Sequence, residues 1–153
     1  MKLAEALKER ADLNTRISIL NERIDRVILV QEGETPAEDP RELLTELDES
    51  IERLAYLIAA INHTNDRTTA DGMTLTQLIA KKDTLTLKMN AYRDFVREAG
   101  RNTSRARGTE IKVVATIRAG EFQKEADRLA KEVRQLDNLL QETNWTKELI
   151  EET

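Results

Sequence analysis

The sequence predicts an all-α fold, an antiparallel up-down bundle of four long helices forming a single domain over residues 1–153. Three observations carry this. Apolar residues recur at three- and four-residue steps in four separate stretches. Charged residues make up 35% of the chain and aromatic residues only 3%, the composition of solvated helices with an aliphatic core. Breakers and polar runs fall between the periodic stretches rather than within them.

The first helix is expected over about Lys2 to Val27, where Leu3, Ala6, Leu13, Ile17, Leu20, Ile24 and Val27 form one stripe. The following VILVQ packs three β-branched residues into a short apolar run, and an acidic loop, EGETPAEDP, comes next. Asp39-Pro40 reads as an N-cap with proline in the first helical position. The second helix then runs to about Asn62, with Leu44, Leu47, Ile51, Leu54, Ile58 and Ile61 as its inner stripe and Leu43 and Leu57 broadening it. NHTNDRTTADGM is a polar connection containing the Asp71-Gly72 turn signal. Thr74 and Gln77 are spaced as a capping box for a third helix ending near Ala99, with Gly100 as its C′ residue. Leu75, Leu78, Leu85, Met89, Tyr92 and Val96 form its stripe, which Lys82 interrupts. A basic connection and a second β-branched run, IKVVATI, lead to a fourth helix from about Ala119 to Asn144.

At about 1.5 Å per residue each helix covers roughly 35–40 Å. In an up-down arrangement both chain termini fall at the same pole as the 62–74 connection. The two β-branched runs run antiparallel at the opposite pole, so residues 27–31 can pair with 111–117 as a small two-stranded ribbon; the rival reading keeps both runs helical.

Several function classes lose support. With no cysteine in the chain, disulfides, thiolate metal sites and cysteine nucleophiles are excluded. His63 is the lone histidine and Ala60 precedes it by three residues, so the paired Glu-x-x-His pattern of a di-iron bundle is missing and no metal site is expected. Gly33, Gly72, Gly100, Gly108 and Gly120 are scattered, which leaves no glycine-rich phosphate loop and no cofactor motif. No serine sits in a nucleophile turn and no carboxylate pair stands apart, so no catalytic residues are named and an enzyme is not expected. A net charge of −5 argues against a general nucleic-acid binder. The longest uncharged apolar stretch, Leu54 to Ile61, is too short for a membrane span, and charges at Glu5, Lys8, Glu9 and Arg10 break up any leader, so the expected location is cytoplasmic.

Two groups of residues remain as ligand or partner candidates. Arg101, Arg105 and Arg107 lie in the 97–112 connection, where five basic residues face two acidic ones, and arginine forks suit phosphate oxygens. The bland reading is a solvated loop. At the other pole Asn62, His63 and Asn65 end the second helix while Asn144 and Trp145 end the fourth. Their amides and hydroxyl neighbours either cap the last carbonyls or line a small polar pocket under Trp145.

Taken in order, MKLAEALKERADL, VQEGETPAEDP, INHTN, TLTQLIAKKDTL, EIKVVAT and LDNLLQETNWTKEL resemble the septicolysin-like family of small uncharacterised bacterial proteins. The resemblance implies a helical cytoplasmic protein without established activity, and it supplies no catalytic residues. The reading that follows is a structural or interaction protein that self-associates into a homo-oligomer, with Leu43, Leu57, Ile79 and Leu139 as the second apolar surface. The alternative is a phosphate-ligand or nucleic-acid-binding module built on the arginine connection. A third is an enzyme with a polar pocket near Asn62, His63 and Trp145.

Overall fold

A computed structural model describes residues 1–103 and 111–151. Four helices dominate: α1 (Leu3–Val27), α2 (Pro40–Arg67), α3 (Leu75–Ala99) and α4 (Ala119–Thr146). A two-stranded ribbon, β1 (Thr69–Ala70) and β2 (Met73–Thr74), joins α2 to α3, and a 3-10 turn, Gly100–Thr103, extends α3. The predominantly helical fold with a small ribbon is thus what the chain adopts, but the ribbon stands elsewhere than expected. Its turn is Asp71-Gly72, with φ of 51° and 76°. Two successive positive φ values are what a two-residue I′ hairpin turn needs, and Asp-Gly supplies them at low cost. Residues 28–31 and 111–117 form neither strand nor helix. Neither run has a partner strand among the described residues, and such a run cannot satisfy a ladder alone.

The predicted caps are present. Asp39 Oδ1 accepts from the Arg41 N–H at 2.9 Å. Thr74 Oγ1 accepts from the Gln77 N–H at 3.2 Å while Gln77 Oε1 accepts from the Thr74 N–H at 3.0 Å, a complete capping box. Gly100 has φ −73° and continues into the 3-10 turn instead of closing α3 in the left-handed conformation.

The chain divides into two compact units, Met1–Thr69 with Thr143–Thr153, and Ala70–Glu142. In the first, α1 and α2 run antiparallel. Leu20, Ile24 and Val27 of α1 pack with Leu43 and Leu47 of α2. Outside this seam Arg53 bonds Glu9 through two nitrogens at 2.7 and 3.0 Å, Arg16 bonds Glu46 at 2.6 and 2.9 Å, and Arg23 forks onto Glu38. The C-terminal segment returns to this unit. The Leu3 N–H donates to Lys147 O at 3.0 Å and the Leu149 N–H to Met1 O at 2.8 Å, while Leu149 is buried. Chain termini and the end of α2 therefore share one pole of this unit, as the loop lengths predict.

In α2 the inner face differs from the expected one. Leu43, Ser50, Leu57, Ile61 and Thr64 are buried, whereas Leu44, Ile51 and Ile58 remain 46%, 46% and 42% exposed. Leu43 and Leu57 are core rather than second surface; of the stripe read as core, Leu44, Ile51 and Ile58 face outward, Leu47 and Leu54 are half-buried and Ile61 is buried. The reason is Ser50. A serine in the middle of an apolar face makes the neighbouring row look more continuous, yet its hydroxyl donates to Glu46 O at 2.7 Å and is satisfied inside.

In the second unit α3 and α4 are likewise antiparallel. Lys82 pairs with Asp137 at 3.2 Å, Lys81 with Glu132 at 3.7 Å, and Tyr92 stacks on Phe122. Lys82, which interrupts the stripe, thus reaches across to the partner helix. Leu75, Leu78, Met89, Ala126, Leu129, Leu136 and Leu140 are buried.

Candidate functional site

A concavity lies in the second unit, where α3 ends and α4 begins. Tyr92 and Phe95 stand one turn apart near the end of α3, and Phe122 occupies the first turn of α4. The antiparallel arrangement brings them together. Tyr92 and Phe122 stack with centroids 5.3 Å apart, Phe95 meets Phe122 edge-on at 6.3 Å, and Tyr92 and Phe95 tilt at 5.9 Å. These geometries are the favourable ones for ring quadrupoles. Three of the chain's five aromatic residues are spent here.

Against Phe95 and Phe122 runs the segment Val113–Ile117, and between them opens a cavity of about 600 Å³. That volume is within the range of small-molecule sites. Val113 and Val114 are 59% and 69% exposed, so the wall they supply is apolar and open to solvent. Arg101 and Glu98 mark its polar rim, paired at 3.2 Å. Both side chains are exposed, and such a pair is worth little.

The predicted site residues fall in different places. Arg101 lies at this groove, while Arg105 and Arg107 lie outside the described residues. Arg97 pairs with Asp94 at 2.9 Å on its own helix. No aromatic is interleaved with the arginines in sequence, but the fold brings Phe95 and Phe122 to Arg101. In the first unit Asn62 is exposed on α2, and His63 lines a smaller cavity of about 420 Å³ with Tyr56, Ala59 and Ala60. Burial, then a hydrogen bond with Glu151, pushes the Tyr56 phenol above its ordinary range. Asn65 and Asn144 are half-buried and Trp145 is 60% exposed. Thr64 has the capping role: its hydroxyl donates to Ala60 O at 2.7 Å and accepts the Ile150 N–H at 2.8 Å, tying the C-terminal segment to α2. Among the described residues no buried side-chain nitrogen or oxygen lacks a partner, and no cluster of three or more His, Asp or Glu could hold a metal.

The residues that sequence reasoning missed are Phe95, Phe122, Val113 and Val114. A signal was present: in a chain this poor in aromatics, three of five fall between residues 92 and 122.

Fold and site together define a mostly α-helical protein that carries a ligand-sized apolar groove with an ionic rim. The chain belongs to the family of unknown function DUF6847, whose model matches residues 10–149. Among solved structures it is similar to a functionally unknown conserved protein from Corynebacterium diphtheriae, at 44% identity and a TM-score of 0.91 over 98% of this chain and 99% of that one. No curated protein matches. These findings overturn the septicolysin-like resemblance. The segments that carried it are heptad stripes, caps and polar turns, and long helical hairpins of any origin need those same features. Family and neighbour give no indication of catalysis either way. Among the described residues no helix is long and apolar enough to cross a membrane.

Proposed function

We propose that this protein is a helical interaction protein that self-associates, and that the Leu44–Ile51–Ile58 row of α2 is the surface it uses. The observation that supports this is the spacing and exposure of the row. Its members recur every seven residues and keep nearly half of their surface open. A heptad row of large aliphatics is the pattern that seats helix on helix. The second copy is the favoured occupant because the row is symmetric about Ile51. Under a two-fold axis through Ile51, Leu44 of one chain meets Ile58 of the other, which is the self-complementarity an isologous contact requires. Leu47 and Leu54, half-buried beside the row, widen the contact.

Light scattering at micromolar concentration tests the reading. A dimer or larger species is expected, and Ile51→Glu should convert it to monomer with helical circular dichroism unchanged, since Ile51 is not part of the buried seam. A clean monomer for the unaltered chain would sink the proposal.

A further inference from the structure

We infer that the groove between the end of α3 and the start of α4 binds a small uncharged apolar molecule, an aryl or short alkyl body whose polar group is at most a hydroxyl. Its size is that of such a ligand. The cavity measures about 600 Å³, inside the range of roughly 300–1,000 Å³ that small-molecule sites occupy. Ten described residues line it, whereas a stable protein interface takes about 20–30 a side. On α3 the lining runs from Phe95 to Arg101, a span shorter than the i to i+7 stripe that a docked helix presents. The surface inside is apolar. Tyr92 stacks on Phe122, and Phe95 meets Phe122 edge-on while keeping 46% of its own surface open. Val113 and Val114 on the other wall are more open still. A ligand that covers these groups gains in proportion to the apolar area it takes from water. Thr116 adds a hydroxyl to the lining.

The lack of charge on the ligand follows from the rim. Among the described lining residues Glu98 and Arg101 alone are charged, and they pair with each other at 3.2 Å. The neighbouring arginines are matched as well, Arg97 by Asp94 at 2.9 Å and Arg118 by Glu121 at 3.5 Å. Lys112 precedes the valine wall and is not among the lining residues. The lining thus carries no net charge that would favour either sign. A carboxylate or an ammonium brought against the rings would lose water and gain no counter-ion. An uncharged body enters without that cost.

The uncharged fluorophore N-phenyl-1-naphthylamine is titrated against the full chain, then displaced by 1-octanol, octanoate and octylammonium at neutral pH. The probe is expected to saturate at one per chain. Octanol should displace it at a several-fold lower concentration than either ion, and the two ions should act alike. Val114→Asp puts a carboxylate on the exposed wall and should weaken the probe about tenfold or more. Helical circular dichroism and light scattering should stay as they were, and Val114→Leu should keep the binding. Glu98→Gln leaves the rim one charge more positive and should let octanoate outrank octylammonium. Ile51→Glu on α2 should not alter the titration, which keeps this site distinct from self-association. Non-saturating binding, indifference to Val114→Asp, or loss on Ile51→Glu would each overturn the site. So would a dimer lost on Val114→Asp, which would make the groove a contact between copies. An ion that displaces the probe as well as octanol does would overturn the preference for an uncharged ligand.

Discussion

The two helical hairpins of this chain solve the same problem differently. α1 and α2 are drawn together by an apolar seam and by three forked arginine–glutamate pairs spread along their length, Glu9–Arg53, Arg16–Glu46 and Arg23–Glu38. α3 and α4 are linked by the lysine pairs Lys81–Glu132 and Lys82–Asp137 toward one end and by three aromatic rings toward the other. Each hairpin also carries a β-branched run at its connection. In the first, Leu29 and Val30 border a cavity lined also by Arg26, Glu34, Pro36 and Glu38, without an aromatic ring. In the second, Val113–Ile117 faces Phe95 and Phe122, with Glu98 and Arg101 on the rim. The contrast separates a laced scaffold from a hairpin that leaves a ligand-sized opening at its aromatic end.

The largest expected effect breaks the first hairpin at its seam. Leu57 is fully buried, so Leu57→Ala should cost about 2–5 kcal/mol of unfolding free energy in urea titration. Leu44, one row away and half open, should cost under about 1 kcal/mol on the same change. Equal losses at the two positions would mean that the seam of α2 has been placed on the wrong row.

The second hairpin should respond through its rings. Phe122 touches both Tyr92 and Phe95 but is only half-buried, so Phe122→Ala is expected to cost about 1–3 kcal/mol. It should also flatten the near-ultraviolet circular dichroism of the tyrosine. A loss as large as that of Leu57→Ala would make the aromatic end a core rather than an open site.

Much of this arrangement was legible beforehand, and the failures are instructive. Helix positions followed from periodicity, and the caps at Asp39 and at Thr74 with Gln77 followed from side-chain chemistry acting over three residues. Such local interactions need no knowledge of the rest of the chain. The inner row of α2 did not follow, because Ser50 satisfies itself on the backbone and so enters a core that composition says it should avoid. The ribbon was sought where β-branched residues are dense. It formed where two successive positive φ values are cheap, at Asp71-Gly72, so turn chemistry outweighed strand propensity. The groove was hidden for a third reason: Phe95 and Phe122 are 27 positions apart, and only the reversal of the chain between α3 and α4 brings them face to face.

The smallest expected effect concerns the lacing of the first hairpin, and its sign can be worked out. Hydrogen bonds from Arg53 hold the Glu9 carboxyl below the ordinary carboxylate range, outweighing the burial that would raise it. Arg23 does the same for Glu38. A carboxyl whose pKa is lower in the folded than in the unfolded chain contributes stability above the unfolded value, about 4.3 for glutamate. That contribution fades as pH falls through the folded value. The thermal midpoint should therefore hold steady above about pH 5 and decline toward pH 3. Arg53 and Glu9 keep 40% and 32% of their side-chain surface open, so solvent screening limits the pair's share to a few tenths of a kcal/mol up to about 1. Arg53→Gln removes the charge that depresses Glu9 and should flatten part of that decline, and 0.5 M salt should do the same for the unaltered chain. If Arg53→Gln left the profile unchanged, the forked pairs would be ornaments on a seam that holds the hairpin by itself, and the two hairpins would differ only at their open ends.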